Sequence, residues 1–319
     1  MSVTVPDVLG ESYEVETFEL TPDREGAVEA NLVIRRAERP TTRAVLHVHG
    51  FADYFFHTEY AEWWTARGYN FYALDLRKFG RSIREHHTPN LVLDLTEYDE
   101  ELDTAWQRIT ERDGHDHVVL SAHSTGGLVV PLWLARRDSS AAVGLVLNSP
   151  WLDLHGPGIL RHPVGKQVVQ QLSVRQPHRE ISRNTSGVYG RSLHRDHGGE
   201  WDYDLAWKPL TSWPITFGWL GAVRRGHATV HAGLDLTVPT LVLTSGRSGL
   251  AESVDEPDAT STDIVLDVQQ IRRWAPKISR HLTLVAVDGA MHDVVLSRQP
   301  VRERVYDELG RWESAYLSG

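Results

Sequence analysis

Between Asp116 and Leu134 a short apolar stretch, Val118 to Ala122, runs through His123, Ser124 and Thr125 into the pair Gly126, Gly127, and a second apolar stretch follows to Leu134. This pattern predicts a buried strand, a tight turn and a buried helix, with Ser124 at the tip of the turn. Such a turn needs small residues two positions either side of its centre, where side chains would strike the adjoining strand and helix; Ala122 and Gly126 meet that need. The spacing is that of a nucleophile elbow with alanine in place of the first glycine. It holds the Ser124 hydroxyl outward and sets the Thr125 N–H beside it at a helix start, where a developing oxyanion finds a donor.

The flanking sequence alternates strands and helices. Tyr13 to Leu20 and Ala27 to Arg36, joined by a Pro, Asp and Gly turn, predict a hairpin. Arg43 to Val48 predicts a strand that ends at His49 and Gly50, Thr58 to Arg67 a helix closed by Gly68, and Tyr69 to Leu74 a further strand. A helix over 96–110 leads into the elbow strand. Later strands are expected at Val143 to Leu147, 239–244 and 282–287, and a last helix at Val301 to Tyr316. Strands alternating with helices imply a mostly parallel, doubly wound α/β sheet carrying an N-terminal antiparallel hairpin.

About ninety residues separate the strand near Leu147 from the one near Pro239, too many for one crossover. We therefore expect a core formed by 1–150 and 237–319, and a cap inserted at 151–236 over the carboxyl end of the sheet. The insertion has helical stretches at Val164 to Leu172 and Phe217 to His231 and is punctuated by Trp201, Trp207, Trp213 and Trp219, four of the 11 Trp in the chain. Trp151, Trp213 and Trp219 are assigned to an aromatic substrate pocket, with His123 as a wall residue and His49 and Gly50 in the loop facing it.

The chain has 319 residues and no Cys, so no disulfide framework or thiolate metal site is available. The pairs His47 with His49, His115 with His117, and His86 with His87 lack a third ligand nearby in sequence, and no metal site is read from them. A net charge of -10 argues against a nucleic-acid or anionic-membrane surface. No apolar run reaches about eighteen residues and no leader pattern opens the chain, so a soluble, cytoplasmic protein without an integral membrane segment is expected.

An elbow serine needs a base, and the base an orienting carboxylate; in the α/β-hydrolases, whose elbow spacing this stretch resembles, the chain order is serine, acid, histidine. Beyond 244 the histidines are His281 and His292, and His292, in a loop just past the last strand, is the better base. The acid lies among Glu252, Asp255, Glu256, Asp258, Asp263 and Asp267. Val268, Ile271, Trp274 and Ile278 mark a helix face, which gives Asp267 the duty of an N-cap and leaves Asp263 without one.

With these residues in place the sequence resembles the monoacylglycerol-lipase-like serine hydrolases of the α/β-hydrolase superfamily. The likeness is carried by His49 and Gly50; by Asp75 to Ser82 with Gly80; by the elbow at 122–126; by Asn148, Ser149 and Pro150; by Asp263, Ile264 and Val265; and by Gly289 to His292. It implies the α/β-hydrolase fold, Ser124 as nucleophile, His292 as base, Asp263 as orienting acid, and the backbone N–H groups of Phe51 and Thr125 as the oxyanion hole. No cofactor is implied. The expected activity is hydrolysis of a lipid-like or other small carboxylic ester; thioesterase, lactonase, amidase or acyltransferase chemistry, or a ligand receptor with vestigial turnover, are the alternatives.

Overall fold

The computed structural model describes residues 4–137, 140–154, 163–181 and 186–317. In chain order its strands are β1 (Thr4–Asp7), β2 (Gly10–Asp23), β3 (Gly26–Arg35), β4 (Arg43–Val48), β5 (Asn70–Asp75), β6 (His117–His123), β7 (Ala142–Asn148), β8 (Glu180–Ile181), β9 (Ile215–Thr216), β10 (Thr240–Ser245) and β11 (Leu282–Val287). Nine of them form one sheet in the order β1-β2-β3-β5-β4-β6-β7-β10-β11. The first three pairings, out to β5, are antiparallel, and every pairing from β5 to β11 is parallel. The expected hairpin is β2 and β3; β1, which pairs with β2, adds a strand that the sequence reading did not foresee.

Helices α1 (Thr58–Thr65), α2 (Asp99–Gln107), α3 (Gly126–Leu134), α4 (Pro163–Arg175), α5 (Val188–Leu193), α6 (Phe217–Ala232), α7 (Val268–Trp274) and α8 (Gln299–Tyr316) complete the described elements. The helix expected over 96–110 is three pieces. A tight turn at Leu95–Tyr98 precedes α2 because Asp94 accepts from Thr96 N–H while Glu97 reaches back to the Asp94 N–H, a capping box, and a wider turn follows at Arg108–Arg112.

Strand periodicity distributes each parallel strand between two apolar layers. Along β6, Val118, Leu120 and Ala122 enter one layer with Leu102 of α2, Leu128 of α3, Val223 of α6 and Ile271 of α7. Val119 enters the other with Trp64 of α1 and Leu309 of α8. Burial on both faces is why β6 reads as an unbroken apolar run.

β4 lies between β5 and β6, so the chain leaves it to one side and returns on the other. The loops that follow β4 and β6 thus meet at a topological switch point, where such sheets bind ligands. No helix among the described residues is long and apolar enough to cross a membrane.

Candidate active site

Ser124 sits at φ 50, a left-handed conformation that a non-glycine residue adopts only when its surroundings over-determine it. Here the Ser124 N–H donates to Asn148 O at 3.0 Å and the Ser124 carbonyl accepts from Trp151 N at 2.9 Å. The turn is thereby stitched to the end of β7 on both sides. Gly126 is required by close approach: a Cβ there would lie 2.6 Å from the carbonyl oxygens of both Val48 and His49. At 122 a methyl is accommodated, fully buried in the core beside Val48.

His292 Nε2 lies 3.0 Å from Ser124 Oγ, and its Nδ1 lies 3.0 Å from Asp263 Oδ2. The other Asp263 oxygen accepts from Val265 N at 2.9 Å and Leu266 N at 2.7 Å. An ionised carboxylate only accepts, so Nδ1 carries the imidazole hydrogen and Nε2 turns a lone pair toward the hydroxyl. The loop bearing His292 is anchored on both flanks. Ser245 Oγ donates to Ala290 O at 2.7 Å, and Asn148 donates to Asp293 Oδ1 at 2.6 Å while accepting from Val294 N at 3.1 Å. Asp267, the rival acid, caps α7 by accepting from Gln269 N at 3.0 Å.

A cavity of about 330 Å³ opens over these groups. Its wall is formed by 51–53, His123, Ser124, 186–190, 208–212, Ala251, Ile264, Val265 and His292. Phe51 therefore faces the cavity, and Thr125 is buried at the N-terminus of α3. Gly50 lies against His123: a Cβ on it would come within 2.9 Å of the imidazole Nδ1.

Several expected pocket residues stand elsewhere. Trp219 is fully buried, because it joins the larger apolar cluster of the core; its ring backs Phe51 at 4.3 Å and stacks on Trp151 at 5.5 Å between centroids. Trp151 and Trp219 support the wall from behind rather than form it, and Trp213 is half-buried outside the lining. His49 is also set back. Its Nδ1 donates to Gly50 O at 2.8 Å and its Nε2 accepts from Leu76 N at 3.1 Å, so burial keeps it neutral and it straps the loop after β4 to the loop after β5.

Beside the relay is a charged cluster that sequence reasoning missed. Asp53 Oδ1 accepts from Lys208 Nζ at 2.6 Å, and Asp53 Oδ2 faces His123 Nδ1 at 3.3 Å. Asp293 Oδ2 approaches the same nitrogen at 3.6 Å. Burial opposes the Asp53 charge, yet Lys208 and His123 overcome it and hold the carboxyl well below the usual range. For His123, burial is likewise outweighed, here by Asp293 and Asp53, and its pKa is raised. Asp53, His123 and Asp293 could gather around a metal ion, their ligand atoms falling within 4.8 Å of one another. The Lys208 ammonium already supplies a positive charge there. Tyr189, whose ring meets His292 edge-on at 5.6 Å, is a further wall residue the sequence did not flag. The one available signal was position: Asp53 and Asp293 each lie within four residues of a motif already singled out.

The family model Hydrolase_4, serine aminopeptidase S33, matches residues 39–299. No curated protein matches the chain in sequence. Among solved structures, a soluble variant of the monoglyceride lipase of Saccharomyces cerevisiae superposes with a TM-score of 0.65 at 14% identity, covering 94% of this chain and 95% of that one. The monoacylglycerol lipase of Paleococcus ferrophilus gives 0.63 at 19%, covering 89% and 99%. The α/β hydrolase GrgF of Penicillium gives 0.66 at 14%, covering 96% and 99%. At such identities these likenesses speak for the fold, the family match spans most of the chain, and the protein belongs to the serine aminopeptidase S33 family as a monoacylglycerol-lipase-like α/β hydrolase.

Proposed function

We propose that this protein hydrolyses carboxylic esters through an acyl-enzyme on Ser124. The observation that carries the reading is the unbroken relay from Ser124 Oγ through His292 to Asp263, with 3.0 Å at each step. His292 Nε2 takes the hydroxyl proton as Ser124 attacks the ester carbonyl; the oxyanion forms toward the N–H groups of Phe51 and Thr125. His292 then gives that proton to the departing alcohol. Water enters, loses a proton to the same nitrogen and attacks the acyl carbon, and Ser124 regains its hydrogen as the acid leaves. Asp263 stays ionised, holding the tautomer and stabilising the imidazolium.

The stretch 151–236 is read as the cap, with 186–190 and 208–212 as its roof over the acyl site. A cavity of about 330 Å³ suits a small or short-chain ester, and the likeness to monoglyceride lipases makes a lipid-like glycerol ester the natural member of that class. Aminopeptidase action needs a carboxylate free to hold a substrate amine. The acid in the wall, Asp53, is committed to Lys208, which favours the ester reading.

A fluorophosphonate probe should label the native chain and not Ser124→Ala, whose ester turnover should fall by about 10⁴ or more. A panel of p-nitrophenyl esters of increasing chain length, run beside thioester and amide analogues, should show short esters as the preferred class. Labelling that survives the substitution, or amide turnover exceeding ester turnover, would overturn the proposal.

A further inference from the structure

His123 lies one residue before the nucleophile and lines the cavity, and its charged surroundings are those of a cation. Asp53, on the loop after β4, gathers donors from three separate parts of the chain. Lys208 Nζ binds Oδ1 at 2.6 Å, while Oδ2 faces His123 Nδ1 at 3.3 Å and the Gly50 N–H at 3.4 Å. Asp293 Oδ2 and His123 Nε2 are both buried without a hydrogen-bond partner among the described residues, and the ionic neighbour of Asp293 Oδ2 is the other His123 nitrogen, Nδ1, at 3.6 Å. Of the two buried carboxylates only Asp53 is paired with a lysine, and a buried charge without a counter-charge is strongly unfavourable. An imidazolium at 123 supplies the missing positive charge. A metal ion is the rival source, but it would have to sit beside the Lys208 ammonium that already occupies Asp53.

The cluster also has a mechanical consequence. Gly50 is pressed so closely on the imidazole that a Cβ would lie 2.9 Å from its Nδ1, and the next residue, Phe51, presents the N–H assigned to the oxyanion. We propose that His123 is a positioning residue, a charged strut between Asp53 and Asp293 that locks the Gly50–Phe51 backbone against the nucleophile and sets an upper pH bound on acylation. This rests on Ser124 being the nucleophile.

The groups facing His123 come from every neighbouring element. Asp53 and Asp293 favour its proton and Lys208 opposes it. His47 on β4 and His57 ahead of α1 are held below their ordinary values by burial and stay neutral, and His292 and Tyr189 close the cavity side. When His123 loses its proton, Asp53 keeps Lys208 while Asp293 loses its ionic neighbour, and the strut slackens.

The test uses the full chain and two readouts: the rate of fluorophosphonate labelling, and kcat and KM on p-nitrophenyl acetate, each from about pH 5 to about pH 10. Activity should rise on an acid limb and fall again on a second, alkaline limb. Asp53→Asn should move that limb to lower pH and Lys208→Met to higher pH, each by about one unit, since one removes a favourable charge and the other an unfavourable one. His123→Gln should lower kcat by about tenfold or more, with KM within about twofold, and should lack the limb. A purely structural role for the cluster would not move the limb in opposite directions. If Asp53→Asn fails to fold, Lys208→Met still carries the test, together with imidazole nitrogen NMR on the ¹⁵N-histidine-labelled native chain. That spectrum should show a buried histidine with both ring nitrogens protonated near neutral pH. A native profile flat above its ascending limb, a limb unmoved by Lys208→Met, or an all-neutral set of buried imidazoles overturns the proposal. Failure of the nucleophile reading is separately visible, as labelling that persists in Ser124→Ala.

Discussion

Asp263 and His292 face each other at 3.0 Å, Oδ2 to Nδ1, with both side chains shut away from water. The second Asp263 oxygen is occupied by the Val265 and Leu266 N–H groups, so the carboxylate cannot rotate without losing two backbone bonds. The imidazole is therefore oriented by a group that is itself fixed. Asp267, four residues on, spends its side chain on the first turn of α7.

That contrast separates the two acids by experiment. Asp263→Asn should keep the fold and lower ester turnover by about 10³ to 10⁴, the upper figure being known from serine proteases. Asp267→Asn should leave turnover nearly unchanged, because asparagine caps almost as well, and Asp267→Ala should cost about 1 kcal/mol of stability. Turnover and thermal melts of the three variants check this; the opposite ranking of the two asparagine variants would give the orienting role to Asp267.

Gly126 has no room for a methyl group between the elbow and the end of β4. Gly126→Ala should therefore destabilise the protein by about 1–3 kcal/mol through overpacking. Turnover should fall by about tenfold or more, since the backbone that must yield joins Ser124 to the loop bearing Phe51. Denaturant unfolding together with acetate-ester kinetics measures both effects, and a variant with native stability and rate would show that the contact relaxes freely.

The chain-length preference should follow the cavity wall rather than the tryptophans of the insertion. Leu210 lines the cavity, whereas Trp219 is core. Leu210→Trp should depress turnover of longer acyl esters relative to acetate on the order of tenfold. Trp219→Ala should cost about 3–5 kcal/mol in stability. A shifted ester profile in a stable Trp219→Ala protein would return that residue to the pocket.

Burial, aided by Arg224, pushes the His227 pKa from 6.5 down to about 3. The folded state thus resists a proton that the unfolded chain accepts below about pH 6.5. Stability is complete above that value and declines by up to about 1.4 kcal/mol per pH unit as pH falls toward the folded pKa. His227→Gln, which can keep the donation to Trp151 O, should flatten the melting temperature between about pH 6.5 and pH 4. A native curve already flat across that interval would mean that His227 titrates normally.

The sequence alone determined the parts of this protein whose cause is local. The elbow was legible because Ala122, Ser124 and Gly126 answer the sterics of a single turn, and the layers were legible because Val118, Val119 and Leu120 alternate within one strand. The Asp267 cap was legible for the same reason, being an interaction over two residues. Ser124 and His292 lie 168 positions apart, and it was the serine, acid, histidine chain order of α/β-hydrolases that brought them forward as partners. What only the tertiary structure decided was which side chains share the buried space around them. Trp219 looked like pocket and became core because the rotation of α6 about its own axis is set by packing on α3 and α4. Lys208 and Asp53, 155 positions apart, form an ion pair that follows no periodicity and belongs to no turn. Its strength comes from the exclusion of water, and that exists only once the loop after β4, the elbow and the 208–212 stretch have closed on one another.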